Sequence, residues 1–168
     1  LMLPFFVARD AFNNDDSSHL WLNGKPPDAG LGNWSGQNGD VIQTTDSETG
    51  IKMGSIKPKT DSVLTYMVGS LALDNASPRT ALGVRANVTR TIHSMELGFS
   101  NSAGATGDLV RAEVGPPVVL ATCSRVSIVK RVNGQRTELA SSCVSVLSGS
   151  DLRFFIDLQS GRGSVFVD

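Results

Sequence analysis

Glycoside hydrolysis is the first chemistry to test against this sequence, because it needs little beyond two well-placed acids. A retaining enzyme holds two carboxyl groups about 5 Å apart, one protonated and one nucleophilic. On a strand, residues i and i+2 share a face, so the pattern to seek is two acids separated by one residue. The chain contains the glutamates Glu48, Glu96, Glu113 and Glu138, and Glu96, Glu113 and Glu138 have no acidic partner at that spacing. Asp46 and Glu48, in TTDSETG, do have it, but they lie in a Ser/Thr/Gly-rich turn and not on a strand. Other constellations fare no better. The two histidines are His19 and His93, and His93 alternates with Met95, Leu97 and Phe99 as a packed residue would. There is no G-x-S-x-G, no C-x-x-C and no zinc-type spacing of His and Cys. The expectation is a protein without a catalytic centre.

Binding chemistry has better candidates. Stacking on a sugar face requires an exposed aromatic ring with hydrogen-bonding side chains beside it. Trp21, Trp34 and Tyr66 are the platforms, with Asn23, Asn33 and Gln37 as polar neighbours. The expected ligand set is Trp21, Asn23, Trp34 and Tyr66. The competing reading is that these rings pin a loop by packing. The stretch DAFNNDD supplies Asp10, Asn13, Asn14, Asp15 and Asp16, oxygen ligands of the hard type that Ca2+ takes. Its spacing is not that of an EF-hand loop, and an Asx-rich turn bonding its own backbone explains it equally simply.

These residues must be carried by strands. Seventeen glycines and seven prolines interrupt any helical period, and short alternating runs bounded by Gly, Asn, Asp, Ser and Pro dominate. About twelve strands are predicted, near 3–9, 19–23, 39–45, 50–57, 62–73, 80–89, 91–100, 109–114, 117–132, 135–147, 151–158 and 163–167. In the run 80–89, Leu82, Val84, Ala86 and Val88 face one side. Val126, Ile128 and Val132 share a face ahead of Asn133-Gly134, which predicts a type I′ hairpin with Leu139 following it. The closing stretch predicts another hairpin, with Leu152, Phe154, Ile156 and Leu158 on one side and Val165, Phe166 and Val167 after the turn. Region 10–40 is loop-rich, with Phe12, Trp21 and Trp34 expected to pin it down.

Cys123 and Cys143 flank the Asn-Gly hairpin one residue out of register, and a single bulge would set them opposite each other. Two readings stand, a disulfide or two buried thiols. A bridge closing a loop of this size contributes roughly 3 kcal/mol and suits an extracellular or virion protein.

Composition narrows the partners. Net charge is −1, with 15 basic and 16 acidic residues, and the basic residues are scattered. Nothing in that pattern draws a phosphate backbone, so no nucleic-acid partner is expected. No apolar run approaches the roughly 18 residues of a spanning helix, so no membrane insertion is expected. At 168 residues the chain has the length of one domain. Leu1 at the start and Asp168 at the end suggest a piece of a longer polypeptide.

A set of motifs in order gives a family resemblance. Asp10, Phe12 and Asn13 form D-x-F-N, followed by Gly32-Asn33-Trp34, the Gly83-Val84-Arg85 strand, V-x-R-V-N-G-x-x-T-x-L from Val129 to Leu139, and the L-x-F-x-I-D-L-x-S-G-x-G-S-V-F-V-D ending. Together they resemble the concanavalin A-like jelly-roll domains of actinobacteriophage minor tail proteins and of some secreted bacterial proteins. The resemblance implies an all-β, two-sheet antiparallel jelly-roll sandwich spanning 1–168 as one domain. It implies a structural, adhesive role in a virion tail or outside the cell, with host-surface glycan and other tail proteins as partners, and a homo-oligomer, expected as a trimer. It further implies that a structural Ca2+ would lie between the N-terminal segment and the last strand, held by Asp10, Asp15, Asp16 and Asp168. The alternatives are a secreted carbohydrate-binding or lectin-like module and a ligand-free scaffold.

Overall fold

The computed structural model describes residues 8–13, 19–30, 32–45, 52–58, 68–72, 80–87, 94–102, 107–117, 123–147 and 149–168. Among these residues there are fourteen strands and no helix, and every strand pairing is antiparallel. The chain divides into two compact units, Leu1–Ser77 and Pro78–Asp168.

The first unit contains β1 (Ala8–Arg9), β2 (His19–Trp21), β3 (Ala29–Gly30), β4 (Trp34–Gln37), β5 (Gly39–Thr45), β6 (Lys52–Pro58) and β7 (Val68–Leu71). β5 lies between β2 and β6, while β4 pairs with β7 and β1 with β3. Val41, Ile42 and Gln43 are buried in succession along β5. A strand that alternates buries every second residue; one buried at consecutive positions is covered on its two faces. The described residues of region 10–40 are loop segments interrupted by the short paired strands β2, β3 and β4. The tight turn after β2 is closed by Lys25 N–H donating to the Leu22 carbonyl, and it is stitched to β4 by Gly24 N–H donating to the Trp34 carbonyl.

The second unit contains β8 (Ala81–Asn87), β9 (Met95–Ser100), β10 (Leu109–Pro117), β11 (Ser124–Val132), β12 (Gln135–Val144), β13 (Asp151–Asp157) and β14 (Arg162–Val167). They form a four-stranded sheet, β12-β11-β10-β9, and a three-stranded sheet, β14-β13-β8. The inner residues of the two sheets pack together as in a β-sandwich. Val114 and Val126 meet Leu152 and Val146, and Ala112 meets Phe154 and Ile156, with Val84, Phe99, Ile128 and Val165 closing around them. Phe154 and Leu152 are fully buried. Burying an aliphatic or aromatic side chain of this size contributes roughly 1.5–3 kcal/mol, so this row of alternate residues dominates the unit's stability. β8 alternates as its sequence predicts, with Leu82, Val84 and Ala86 turned inward; Val88 lies outside the described residues.

The hairpin at Asn133-Gly134 forms with positive φ at its two central residues, 50° and 78°, as a type I′ turn requires. Val126 and Ile128 reach the core, but Val132 lies beyond it and is exposed. Leu139 is also exposed: it is the extra residue of a bulge, since Val129 pairs with Glu138 and Ile128 with Ala140. That bulge moves the register away from the cysteines, setting Cys143 opposite Arg125 instead of Cys123. The two cysteines nevertheless form a disulfide, reaching diagonally across the end of the hairpin with their Cα atoms 5.5 Å apart. The closing hairpin turns on Asp157, whose carboxylate accepts from Gln159 N–H at 2.9 Å and from the Ser160 hydroxyl at 2.7 Å.

Candidate functional site

In the first unit two of the expected ligand residues, Asn23 and Trp34, already have partners within the protein. Trp34 Nε1 donates to Asp10 Oδ2 at 2.6 Å, and its ring packs on Phe12 with centroids 5.7 Å apart. Asp10 Oδ1 accepts from Phe12 N–H at 2.8 Å, which holds Phe12 at a φ of 54°. The Phe12 ring lies over Gly54, where any Cβ would come within 2.6 Å of it. Asn23 uses its two ends as well: Nδ2 donates to Asp40 Oδ1, and Oδ1 accepts from Val41 N–H, each at 2.7 Å. Phe12 and Trp34 do pin the segment; Trp21, on the outermost strand of its sheet, keeps 48% of its surface exposed. Tyr66 lies outside the described residues.

Of the acidic residues expected to hold an ion, Asp10 and Asp168 each have a partner within their own unit. Asp10 is committed to Trp34 and Phe12, and Asp168, in the second unit, pairs with Arg153. Asp15 and Asp16 lie outside the described residues, as do Asp46, Glu48 and His93. Among the described residues no three His, Cys, Asp or Glu side chains come together as a metal site.

The largest concentration of charge is on the outer face of the four-stranded sheet. The residues of β10 and β11 that face the other sheet are even-numbered, so the odd ones turn to the opposite face, where Leu109, Ser127 and Val129 are themselves buried. Glu113 stands directly opposite Glu96 on β9 and Ser127 on β11. Two like charges in a cross-strand pair repel each other. Arg111, on the same face as Glu113, resolves this: Nη1 reaches Glu96 Oε2 and Nη2 reaches Glu113 Oε1, each at 2.7 Å. Arg136 of β12 takes the other Glu113 oxygen at 2.6 Å, and Arg125 holds Glu138 at 2.6 Å. Three arginines thus neutralise three glutamates around a shallow depression of about 230 Å3, lined in part by Glu96, Glu113, Arg125, Ser127, Arg136 and Glu138.

The proton affinities follow from this pairing. Burial pushes the Glu113 carboxyl up, but hydrogen bonds from Arg136 and Arg111 outweigh it, and the net displacement is below the ordinary value. Arg125, helped by Ser141, lowers Glu138 too. General acid catalysis by a carboxyl group needs the opposite displacement, upward and toward the working pH. Glu113 and Glu138 are instead held as anions against guanidinium groups, an arrangement that orients and neutralises charge.

The sequence search missed this cluster because it looked for acid–acid pairs. The available signal was acid–base: Arg111-Ala112-Glu113 on β10 and Arg136-Thr137-Glu138 on β12 repeat Arg-x-Glu on the two strands that flank β11, which carries Arg125-Val126-Ser127 between them.

The outer face of the three-stranded sheet differs. Phe155 and Phe166 are 43% and 50% exposed there, and their rings meet edge to face at 6.1 Å. Comparison of the chain with family models, with curated proteins and with solved structures found no match.

Proposed function

We propose that this chain is a non-enzymatic structural and adhesion module of a phage tail protein, built as a concanavalin A-like jelly roll and contributing to attachment at a host-surface glycan. The phage and jelly-roll parts of this reading are supported by the ordered motifs from Asp10 to Asp168. The observation that carries its non-enzymatic part is the Glu96–Arg111–Glu113–Arg136 lattice. The acidic groups most closely gathered on a described sheet face are tied to arginines, and those with a displaced proton affinity are displaced toward the anion. A surface of this kind presents fixed donors and acceptors on a strand framework and moves no proton. Trp21 is the more exposed of the two tryptophans in the expected sugar set.

Attachment through a shallow site is weak for one copy and rises by about 10² or more when several copies act together. The test is therefore made on the assembled form. Sedimentation analysis establishes the oligomeric state, expected as a trimer, and a glycan array with whole-cell binding compares the chain with Trp21→Ala. Binding by the trimer, reduced in Trp21→Ala, supports the reading. A trimer that binds neither glycan nor cells leaves only a scaffold role, and a monomer that binds glycan favours the secreted carbohydrate-binding alternative.

A further inference from the structure

We infer that the outer face of β8, β13 and β14 is a second glycan-contact surface, a platform for the apolar face of neutral pyranose sugars centred on Phe155 and Phe166. The inference rests on the attachment reading above and adds a site that the sequence did not single out. Along β13, Phe154 turns into the core and Phe155 turns out, and Phe166 projects beside it from β14, where it pairs with Arg153. Two large rings are left with about half their surfaces in water on a regular sheet face. Their positions are fixed. The Phe155 ring lies across Gly83 of β8, its pairing partner, where a Cβ would come within 2.6 Å of the ring. Phe166 abuts Phe155 edge to face, and the Arg153 guanidinium lies 5.8 Å from its ring centroid. A ring held in place loses little freedom when a ligand stacks on it, which favours binding by pre-organisation.

The rim defines the ligand. Arg153 pairs with Asp168 and Asp151, and Arg85 Nε reaches Asp151 Oδ1 at 2.7 Å. Two arginines against two aspartates leave no net charge to attract an anion or a cation. They do offer strong hydrogen-bond donors and acceptors at the border of an apolar surface. A pyranose ring has the matching chemistry, with an apolar C–H face and a rim of hydroxyls that donate and accept. Neighbouring strands lie about 4.8 Å apart, so the rings from β13 and β14 sit side by side, and at 69° to each other each offers its own face to a sugar.

The experiment titrates the assembled chain with soluble linear oligosaccharides of glucose, mannose, galactose and xylose, read by saturation-transfer NMR and calorimetry. Phe155→Ala, Phe166→Ala and Trp21→Ala are compared, each checked for an unchanged melting profile. The expected result is binding of at least one sugar that weakens by about tenfold in either phenylalanine variant, the scale of one lost stacked ring. Binding that survives within about twofold in the two phenylalanine variants but disappears in Trp21→Ala overturns this inference and leaves the attachment reading intact. Absence of binding to every sugar overturns the inference. Self-association that Phe166→Ala abolishes also overturns it and assigns the face to contact between copies.

Discussion

The two outer faces of the second unit are built on the same pleat and end up chemically opposed. The four-stranded sheet covers its outside with ion pairs among Arg111, Glu96, Glu113, Arg136, Arg125 and Glu138, whereas the three-stranded sheet leaves Phe155 and Phe166 largely in water. The first face satisfies itself, because each guanidinium named there already holds a carboxylate. The second face has rings partly covered by one another, by Gly83 and by Arg153. A surface that is satisfied internally gains little from a partner, and a surface with exposed rings gains much. On the proposed reading, the difference assigns structural work to one side of the unit and recognition to the other.

The sharpest way to probe that contrast is within a single strand. Phe154 and Phe155 are adjacent, one fully buried and one on the platform. Phe154→Ala is expected to destabilise the unit by about 3–5 kcal/mol in urea unfolding, because it empties the core between the sheets. Phe155→Ala is expected to cost no more than about 1 kcal/mol, close to the value of its edge-to-face contact. Equal losses would remove the distinction between core and platform.

Next in size is the cross-link at the end of β11 and β12. Replacing Cys123 and Cys143 together by serine opens a loop with a sequence separation of 20 residues. The expected loss is about 2–4 kcal/mol, with amide exchange rising mainly in β11 and β12. An equal rise in β13 and β14 would mean that the two sheets unfold as one body.

Two glycines distinguish the faces at smaller cost. A Cβ at Gly98 runs into the Val110 carbonyl and the Arg111 backbone, whereas one at Gly83 meets only the Phe155 ring. Moving backbone costs more than displacing a half-exposed ring from its contacts, so Gly98→Ala is expected to cost about 1–3 kcal/mol and Gly83→Ala less than about 1 kcal/mol. Thermal melting of the two variants decides it.

The smallest effect is electrostatic. The Glu113 carboxyl is lowered in the folded protein from its ordinary value of 4.5, so the unfolded chain takes up this proton first. Its contribution is present at pH values above that figure and is lost as pH falls through the folded value. Glu113→Gln is expected to flatten the acid limb of stability and to cost about 1 kcal/mol at neutral pH. An unchanged acid limb would show that the lattice contributes nothing to folding.

Much of this was legible in the residues themselves. Alternation in Leu82 to Ala86 and in Leu152 to Ile156 announces strands with one buried side, because a side-chain period of two leaves no other way to bury them. Asn133-Gly134 announces its turn, since positive φ at two consecutive positions selects those residues. Trp34 resisted the same reading: its type allowed sugar stacking or packing, and only the 2.6 Å bond to Asp10 and the Phe12 ring commit it to packing. Leu139 resisted too, because a bulge is a property of two strands and no local pattern records it.

The sequence on its own thus determined that the described residues form strands and not helices, where the Asn133-Gly134 and closing hairpins turn, and which residues of β8 and of Leu152 to Ile156 are inward, though not that Val132, Leu139 and Leu158 are exposed. It did so because backbone geometry couples residue type to strand and turn within a few positions. Tertiary structure alone decided which outward residues meet. Glu96 faces Glu113, Phe155 covers Gly83, and Cys143 stands opposite Arg125 only because particular strands pair in a particular register. Register is fixed by packing between residues far apart in the chain, so the charged lattice and the aromatic platform exist only once the sheets have formed.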